Sequence, residues 1–173
     1  MAFFAQQLVF GLLVGGMYGL AATGLSLIFG VLRLLNVAHG ELLMVGGYAT
    51  FWLFELAGLD PFVSLLLRLP LLFVGGLVLY RGLFGLLGAA TDEAKIRTSL
   101  LIGFGLALAL DNLAIRLWTA DERAVAPAYA GQVIRAFGVA FPLVRLAAVG
   151  IALALVAGLH VLLTRTFLGR AIR

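Results

Sequence analysis

Apolar residues run along this chain in five long blocks, roughly 8–32, 42–59, 62–80, 99–118 and 143–163, separated by short polar or charged stretches. None of the blocks alternates residue by residue, as the strands of a membrane barrel would. Each instead has the length and unbroken character of a helix that crosses a bilayer. The pattern therefore predicts an all-α fold: a polytopic α-helical membrane protein with about five transmembrane helices. The first block holds 25 residues, which at ~1.5 Å per residue reaches about 37 Å. That exceeds a hydrocarbon core of ~30 Å, so this helix must tilt, or break near Thr23-Gly24.

The polar positions interrupting this pattern are more informative than the blocks. Between the first two spans lies LNVAHGE, with Asn36, His39, Gly40 and Glu41 in a turn too short and too polar for an ordinary loop. Polar groups near membrane depth are costly, and non-helical backbone persists there only inside protein or beside water. Asn and Glu side chains can satisfy the backbone groups of a broken helix, and a histidine can donate and accept at once. Asn36, His39 and Glu41 are thus candidates for a structural and gating element. Gly11, Gly15 and Gly19, four apart, form a small-residue seam for close helix packing. Arg68 falls inside the third block, where it either snorkels to the surface or faces a polar interior. Pro70 is expected to kink that helix. Asp111 and Asn112 lie two thirds of the way along the fourth block, as path-lining or hydrated polar residues. Gln132 to Phe141 alternates weakly around Gly138, which suggests a small hairpin on the membrane surface.

Composition agrees with this reading. The 173 residues are 64% hydrophobic and 12% charged, with mean hydropathy +1.16, too apolar for a soluble domain of this size. There is no cysteine, which excludes disulfides and thiol-based metal or redox chemistry. The net charge of +4 reads as inner-side loop charge, with no nucleic-acid footprint. Five spans place the 33–41 turn, the 81–98 linker and the tail on one side, with Arg33, Arg81, Lys95, Arg97, Arg165, Arg170 and Arg173. The basic excess makes that side cytoplasmic and the N-terminus external. Residues 119–142 then form an extracytoplasmic loop. No basic residue precedes the first apolar run, so a cleavable signal peptide is not expected. His39-Gly40-Glu41 could be read as a metal-site fragment, but the second His or Cys pair such sites need is missing. No nucleophile elbow or zinc-protease motif occurs, and no catalytic residue, metal or cofactor is implied.

The run Gly15-Gly16-Met17-Tyr18-Gly19-Leu20-Ala21-Ala22-Thr23-Gly24, continuing to Phe29-Gly30 and followed by Leu35-Asn36-Val37-Ala38-His39-Gly40-Glu41, resembles the start of a bacterial branched-chain amino acid ABC transporter permease of the LivH-like type. Gly19 stands where that family usually has alanine, and Val37 where it has phenylalanine. Asp111-Asn112-Leu113-Ala114 resembles the family's polar pair in the fourth span, with Asp111 at a common glutamine position. The tail 164–173, with Arg165, Gly169, Arg170 and Arg173, resembles the entry to the cytoplasmic coupling loop. The resemblance implies half of a heterodimeric translocation path in the bacterial inner membrane. Its partners are a second permease subunit, two cytoplasmic ATP-binding subunits and an extracytoplasmic substrate-binding protein. The permease itself would do no covalent chemistry. A related solute such as urea or a short amide, and a non-transporting remnant, stand as alternatives. Family members continue well past this point, so the chain is expected to be a fragment. An apolar substrate needs apolar walls, for which Phe29, Met44, Tyr48 and Phe51 are available.

Overall fold

The computed structural model describes residues 2–88, 91–119, 121–136, 138–167 and 169. Five long helices carry most of them: α1 (Ala2–Leu32), α2 (His39–Ala57), α3 (Leu65–Leu79), α4 (Asp92–Trp118) and α5 (Leu143–Arg165). α3 runs on through a π turn, Tyr80–Phe84, and a 3₁₀ turn, Gly85–Leu87. A hairpin of β1 (Val133–Ala136) and β2 (Val139–Pro142) precedes α5.

Among the described residues four stretches are long and apolar enough to cross a membrane: Phe3–Leu32, Leu65–Leu87, Asp92–Trp118 and Leu143–Arg165. α2, the counterpart of the 42–59 block, is not among them. Its 19 residues include His39, Glu41 and Glu55 near the ends, which dilute an otherwise apolar middle. At ~1.5 Å per residue it still reaches about 28 Å. α1 is one unbroken helix of 31 residues, so the expected break at Thr23-Gly24 does not occur. The Thr23 hydroxyl instead donates back to the Gly19 carbonyl at 2.7 Å, and tilt is what remains to fit so long a helix in a bilayer. The linker after α3 is partly helical, and α4 starts within it at Asp92. Thr91 Oγ1 accepts from Ala94 N, and Asp92 and Glu93 occupy the first turn, where acidic groups favour the helix dipole.

The chain divides into two compact units, residues 1–31 with 128–173, and residues 32–127. In the first, the anticipated hairpin forms with Ala136 opposite Val139 and Val133 opposite Pro142. Gly138 takes φ +74°, the left-handed conformation that tight hairpin turns require. Gln6 staples this hairpin to α1: its Nε2 donates to Ala140 O and its Oε1 accepts from Ala140 N, both at 2.8 Å. Leu143 N donates to Gln132 O, so the first residue of α5 is tied to the base of the hairpin. Arg145 lies over the Phe10 ring at 4.5 Å, and the Gly16 position lies against Val149, whose Cγ1 is 3.3 Å from where a β-carbon would stand.

In the second unit α2 runs alongside both α3 and α4. Gly46 faces Leu72 and Thr50 meets Arg68, so α2 and α3 are antiparallel. The approach to α2 touches α4 at Gly103, and Tyr48, further along, stacks on Trp118, so α2 and α4 run in the same direction. The turn between α2 and α3 is closed by Gly58 at φ +62°, with Gly58 N bonded to Phe54 O and Leu59 N to Leu53 O. That is a helix end with a left-handed glycine. Asp60 Oδ1 then accepts from Phe62 N at 2.8 Å.

Replacing Gln6 by Leu leaves the amide and carbonyl of Ala140 without their side-chain partners. The expected loss is about 1–3 kcal/mol, read as faster hydrogen exchange at Ala140 with the exchange of mid-α5 amides unchanged.

Candidate functional site

The polar turn is built from two directions. α1 stops where Arg33 adopts φ +55°, a conformation uncommon outside glycine and asparagine. From there to Ala38 the backbone is non-helical, and its partners come from α4. The Leu35 amide donates to Ser99 Oγ at 2.9 Å, and the Ser99 hydroxyl donates to Ile96 O at 3.1 Å. One helical turn on, a β-carbon at Gly103 would stand 2.8 Å from Val37 N. Only glycine lets the turn come this close. Ser99 and Ala38 are fully buried and Leu34 nearly so.

This arrangement corrects one expectation. The side chains of Asn36 and Glu41 do not cap α2: its N-cap is Ala38, with no side-chain hydrogen bond. His39 N donates to Asn36 O and Leu42 N to Ala38 O, so the helix starts on backbone bonds. Glu41 contributes its charge to the first turn, Gly40 is exposed, and Asn36 Oδ1 is buried without a hydrogen-bond partner. Ser99 supplies the hydrogen bond to the Leu35 amide, and Gly103 makes room for the backbone at Val37. The small-residue spacing Ser99-x-x-x-Gly103 on an otherwise bulky helix is the signal that could have found them.

Asp111 and Asn112 do not join this cluster. They begin eight residues beyond Gly103, about 12 Å along the helix. Both are exposed, and Asn112 Nδ2 bonds back to Leu108 O at 2.7 Å. The Gly11, Gly15 and Gly19 positions have nothing within 4 Å. Within the described residues the close approach on α1 is made by Gly16 instead. Arg165 closes the last turn of α5, and Gly169 N donates to Thr166 Oγ1. Arg170 and Arg173 lie outside the described residues.

Arg68 faces the protein. Its Nη1 contacts Thr50 Oγ1 and donates to Gly46 O at 3.3 Å, and its Nη2 reaches Pro61 O at 3.4 Å. Thr50 in turn donates to Gly46 O at 2.8 Å. The guanidinium thus ties α3 to the middle of α2, which resolves the choice between snorkelling and a polar interior in favour of the interior.

The opposite side of α2 carries a cleft of ≈ 360 Å³ lined by Met44, Gly47, Tyr48 and Phe51 and by Asp121, Glu122 and Arg123. The α2 residues follow the i, i+3, i+4, i+7 spacing of a single helical face. Tyr48 stacks on Trp118 with centroids 4.2 Å apart and planes at 20°, and Phe51 meets Trp52 edge-on at 5.5 Å. Arg123 lies over Phe51 at 5.3 Å and Trp52 at 5.7 Å, and donates to Trp118 O at 3.1 Å. Three of the four apolar wall candidates, Met44, Tyr48 and Phe51, therefore share one surface. The charged rim beside them was not legible from the sequence. Among the described residues no group of three His, Asp or Glu could hold a metal ion, so His39 and Glu41 have no third ligand near them.

Apolar helices long enough to span, a turn held by a neighbouring helix and a guanidinium turned inward define a multi-pass α-helical membrane protein. A family profile described as "Branched-chain amino acid transport system / permease component" matches residues 7–173, and the chain belongs to that family. It is similar to the high-affinity branched-chain amino acid transport system permease protein BraD of Pseudomonas aeruginosa, 43% identical over 60 residues, which is 33% of this chain and 20% of that protein. It is also similar to the LivH permease proteins of Salmonella typhimurium and Escherichia coli, 39% identical over 49 residues, or 28% of this chain and 16% of theirs. The chain thus covers well under two thirds of the curated relatives it matches. No solved structure matches it significantly.

Two substitutions test the supports of α2. Ser99→Ala strands the Leu35 amide and is expected to cost about 1–3 kcal/mol. Arg68→Ala strips hydrogen bonds from Thr50, Gly46 and Pro61 and costs a similar amount. Both are read as a lower unfolding midpoint in mixed micelles, with Arg68→Lys recovering part of the second loss.

Proposed function

We propose that this chain is part of the membrane-spanning permease subunit of an ABC importer for branched-chain amino acids. The observation that carries the reading is the family match across residues 7–173, supported by BraD and LivH relatives whose names state that transport role. The subunit forms half of a translocation path with a second permease subunit. Two cytoplasmic ATP-binding subunits hydrolyse ATP, and an extracytoplasmic binding protein delivers the solute. The permease performs no covalent chemistry. It alternates between two openings whose balance ligand and nucleotide shift.

The assembly sits in the bacterial inner membrane with the N-terminus outside and α2 counted as a fifth, short span. The directions of α2, α3 and α4 support this, because they put the 33–38 turn and the 81–98 linker at one end of residues 32–127. That end holds Arg33, Arg81, Lys95 and Arg97 beside Glu41, Asp92 and Glu93, whereas the other holds Arg116 and Arg123 beside Asp60, Asp121 and Glu122, a basic excess of the kind expected at a cytoplasmic face. Residues 119–142 are the external loop, with the hairpin resting on the membrane surface. The 164–173 tail, with Arg165, Gly169, Arg170 and Arg173, opens the loop that couples to the ATPases. Asn36, His39, Gly40 and Glu41 then form the inner-end element that opens and closes with the ATPase stroke, and Asp111 and Asn112 face the path or a partner helix. The Gly11/Gly15/Gly19 face of α1 receives a helix from another part of the assembly.

Leucine uptake decides the function. Cells lacking their own branched-chain transporters, given the complete gene and its neighbouring transporter genes, are expected to accumulate labelled leucine in an energy-dependent way. No accumulation with all subunits present in the membrane would refute the reading. Asn36→Ala and His39→Ala are each expected to lower that uptake at unchanged membrane abundance.

The native chain has no cysteine, so orientation can be tested by single-cysteine labelling. Arg97→Cys should react with an impermeant maleimide only from the cytoplasmic side, and Ala126→Cys only from outside.

A further inference from the structure

The cleft on α2 offers three kinds of surface in one place. Met44, Tyr48 and Phe51 supply an apolar wall, and the 121–123 segment supplies one guanidinium and two carboxylates at its rim. Its volume falls at the lower end of the about 300–1,000 Å³ typical of small-ligand sites.

The charges do not cancel one another. Among the described residues neither Asp121 nor Glu122 forms a salt bridge, and the pairs that do form are Lys95–Asp92 and Arg97–Glu93. Arg123 is held by Trp118 O and by the faces of Phe51 and Trp52, which leaves further N–H groups of its five donors unused. Asp121 Oδ2 accepts from Thr119 Oγ1 at 2.8 Å, which positions that carboxylate and leaves its second oxygen open. Positioned charges of both signs beside an apolar wall match one chemical class, a small molecule with adjacent cationic and anionic groups and a hydrocarbon side chain.

We propose that this cleft is a binding site for a free α-amino acid with an apolar side chain, taken as its zwitterion. The side chain lies against Met44, Tyr48 and Phe51. The carboxylate pairs with Arg123, and the ammonium pairs with the open oxygens of Asp121 and Glu122. This deepens the importer reading and rests on it only for the choice of leucine as probe. It places a solute-discriminating site on the permease itself, in addition to any selection by a binding protein. A neutral solute such as urea gains little from a rim of opposite charges, so the cleft favours amino acids over amides.

The two tryptophans of the chain, Trp52 and Trp118, both border this cluster, so tryptophan emission reports on it directly. The full chain in lipid nanodiscs is titrated with leucine, with 4-methylpentanoate, which lacks the ammonium, and with 3-methylbutylamine, which lacks the carboxylate. Leucine is expected to change the emission saturably, and each analogue to bind about tenfold more weakly, the size of one lost charge-assisted contact. Arg123→Gln and Phe51→Ala should each weaken leucine by a similar factor in protein that keeps a cooperative unfolding transition, and Arg123→Lys should recover part of the loss. No saturable response from protein with an intact unfolding transition overturns the proposal. So does equal binding of leucine and both analogues. Binding of leucine without cellular uptake would leave this site standing and remove the importer reading. Uptake indifferent to Arg123→Gln and Phe51→Ala would do the reverse.

Discussion

Between Arg33 and Ala38 the backbone leaves the helix, and its peptide groups need partners from outside it. The Ser99 hydroxyl meets the Leu35 amide, and Gly103 clears space for the backbone at Val37. The rest of residues 32–127 depends on this clamp. It fixes where α2 begins and therefore which residues of α2 face α3, and which face the end of α4. A one-residue slip would turn the helix by about 100°, taking Thr50 away from Arg68 and Tyr48 away from Trp118. Two contacts with small residues thus set the register for a guanidinium tie on one side of α2 and an aromatic cleft on the other.

The two sides of α2 show how a short helix can hold polar chemistry in an apolar protein. Arg68 is accommodated because a carbonyl on α2, a carbonyl at Pro61 and the Thr50 hydroxyl converge on it. Arg123 is accommodated differently, over aromatic faces at the helix end, where a cation gains from ring quadrupoles while keeping access to solvent. One arginine is structural glue and the other remains available to a ligand. Arg68 lies inside an apolar block and Arg123 just beyond one, but which of them meets polar partners is decided by the neighbouring helices.

The long apolar runs made the helices readable, because length and unbroken hydrophobicity leave few alternatives. The Gly138 hairpin was readable too, since a weak alternation around a glycine has one compact solution. Two kinds of feature were hidden. The first was continuity: the Thr23-Gly24 pair looked like a break, yet a threonine that bonds its own preceding turn is compatible with a straight run of helix. The second was everything decided by a contact between distant segments. Asn36 and Glu41 were the polar residues on the spot, but Ser99, more than sixty positions away, supplies the hydrogen bond. Gln6 carries no signal of its own in the sequence, and its purpose is visible only with Ala140 opposite it. The Gly11/Gly15/Gly19 spacing identifies a face that can be approached, whereas the close contact among the described residues falls on Gly16.

The Gln6 staple also has a consequence for biosynthesis. Its two ends are separated by 134 positions, so the hairpin is made well after α1. At about 5–20 residues per second, the ribosome needs roughly 7–27 s to reach Ala140 after passing Gln6. Throughout that interval Gln6 of α1 lacks its Ala140 partner, while residues 32–127 are made. α1 is therefore secured to its hairpin only after the intervening hundred or so residues have been made.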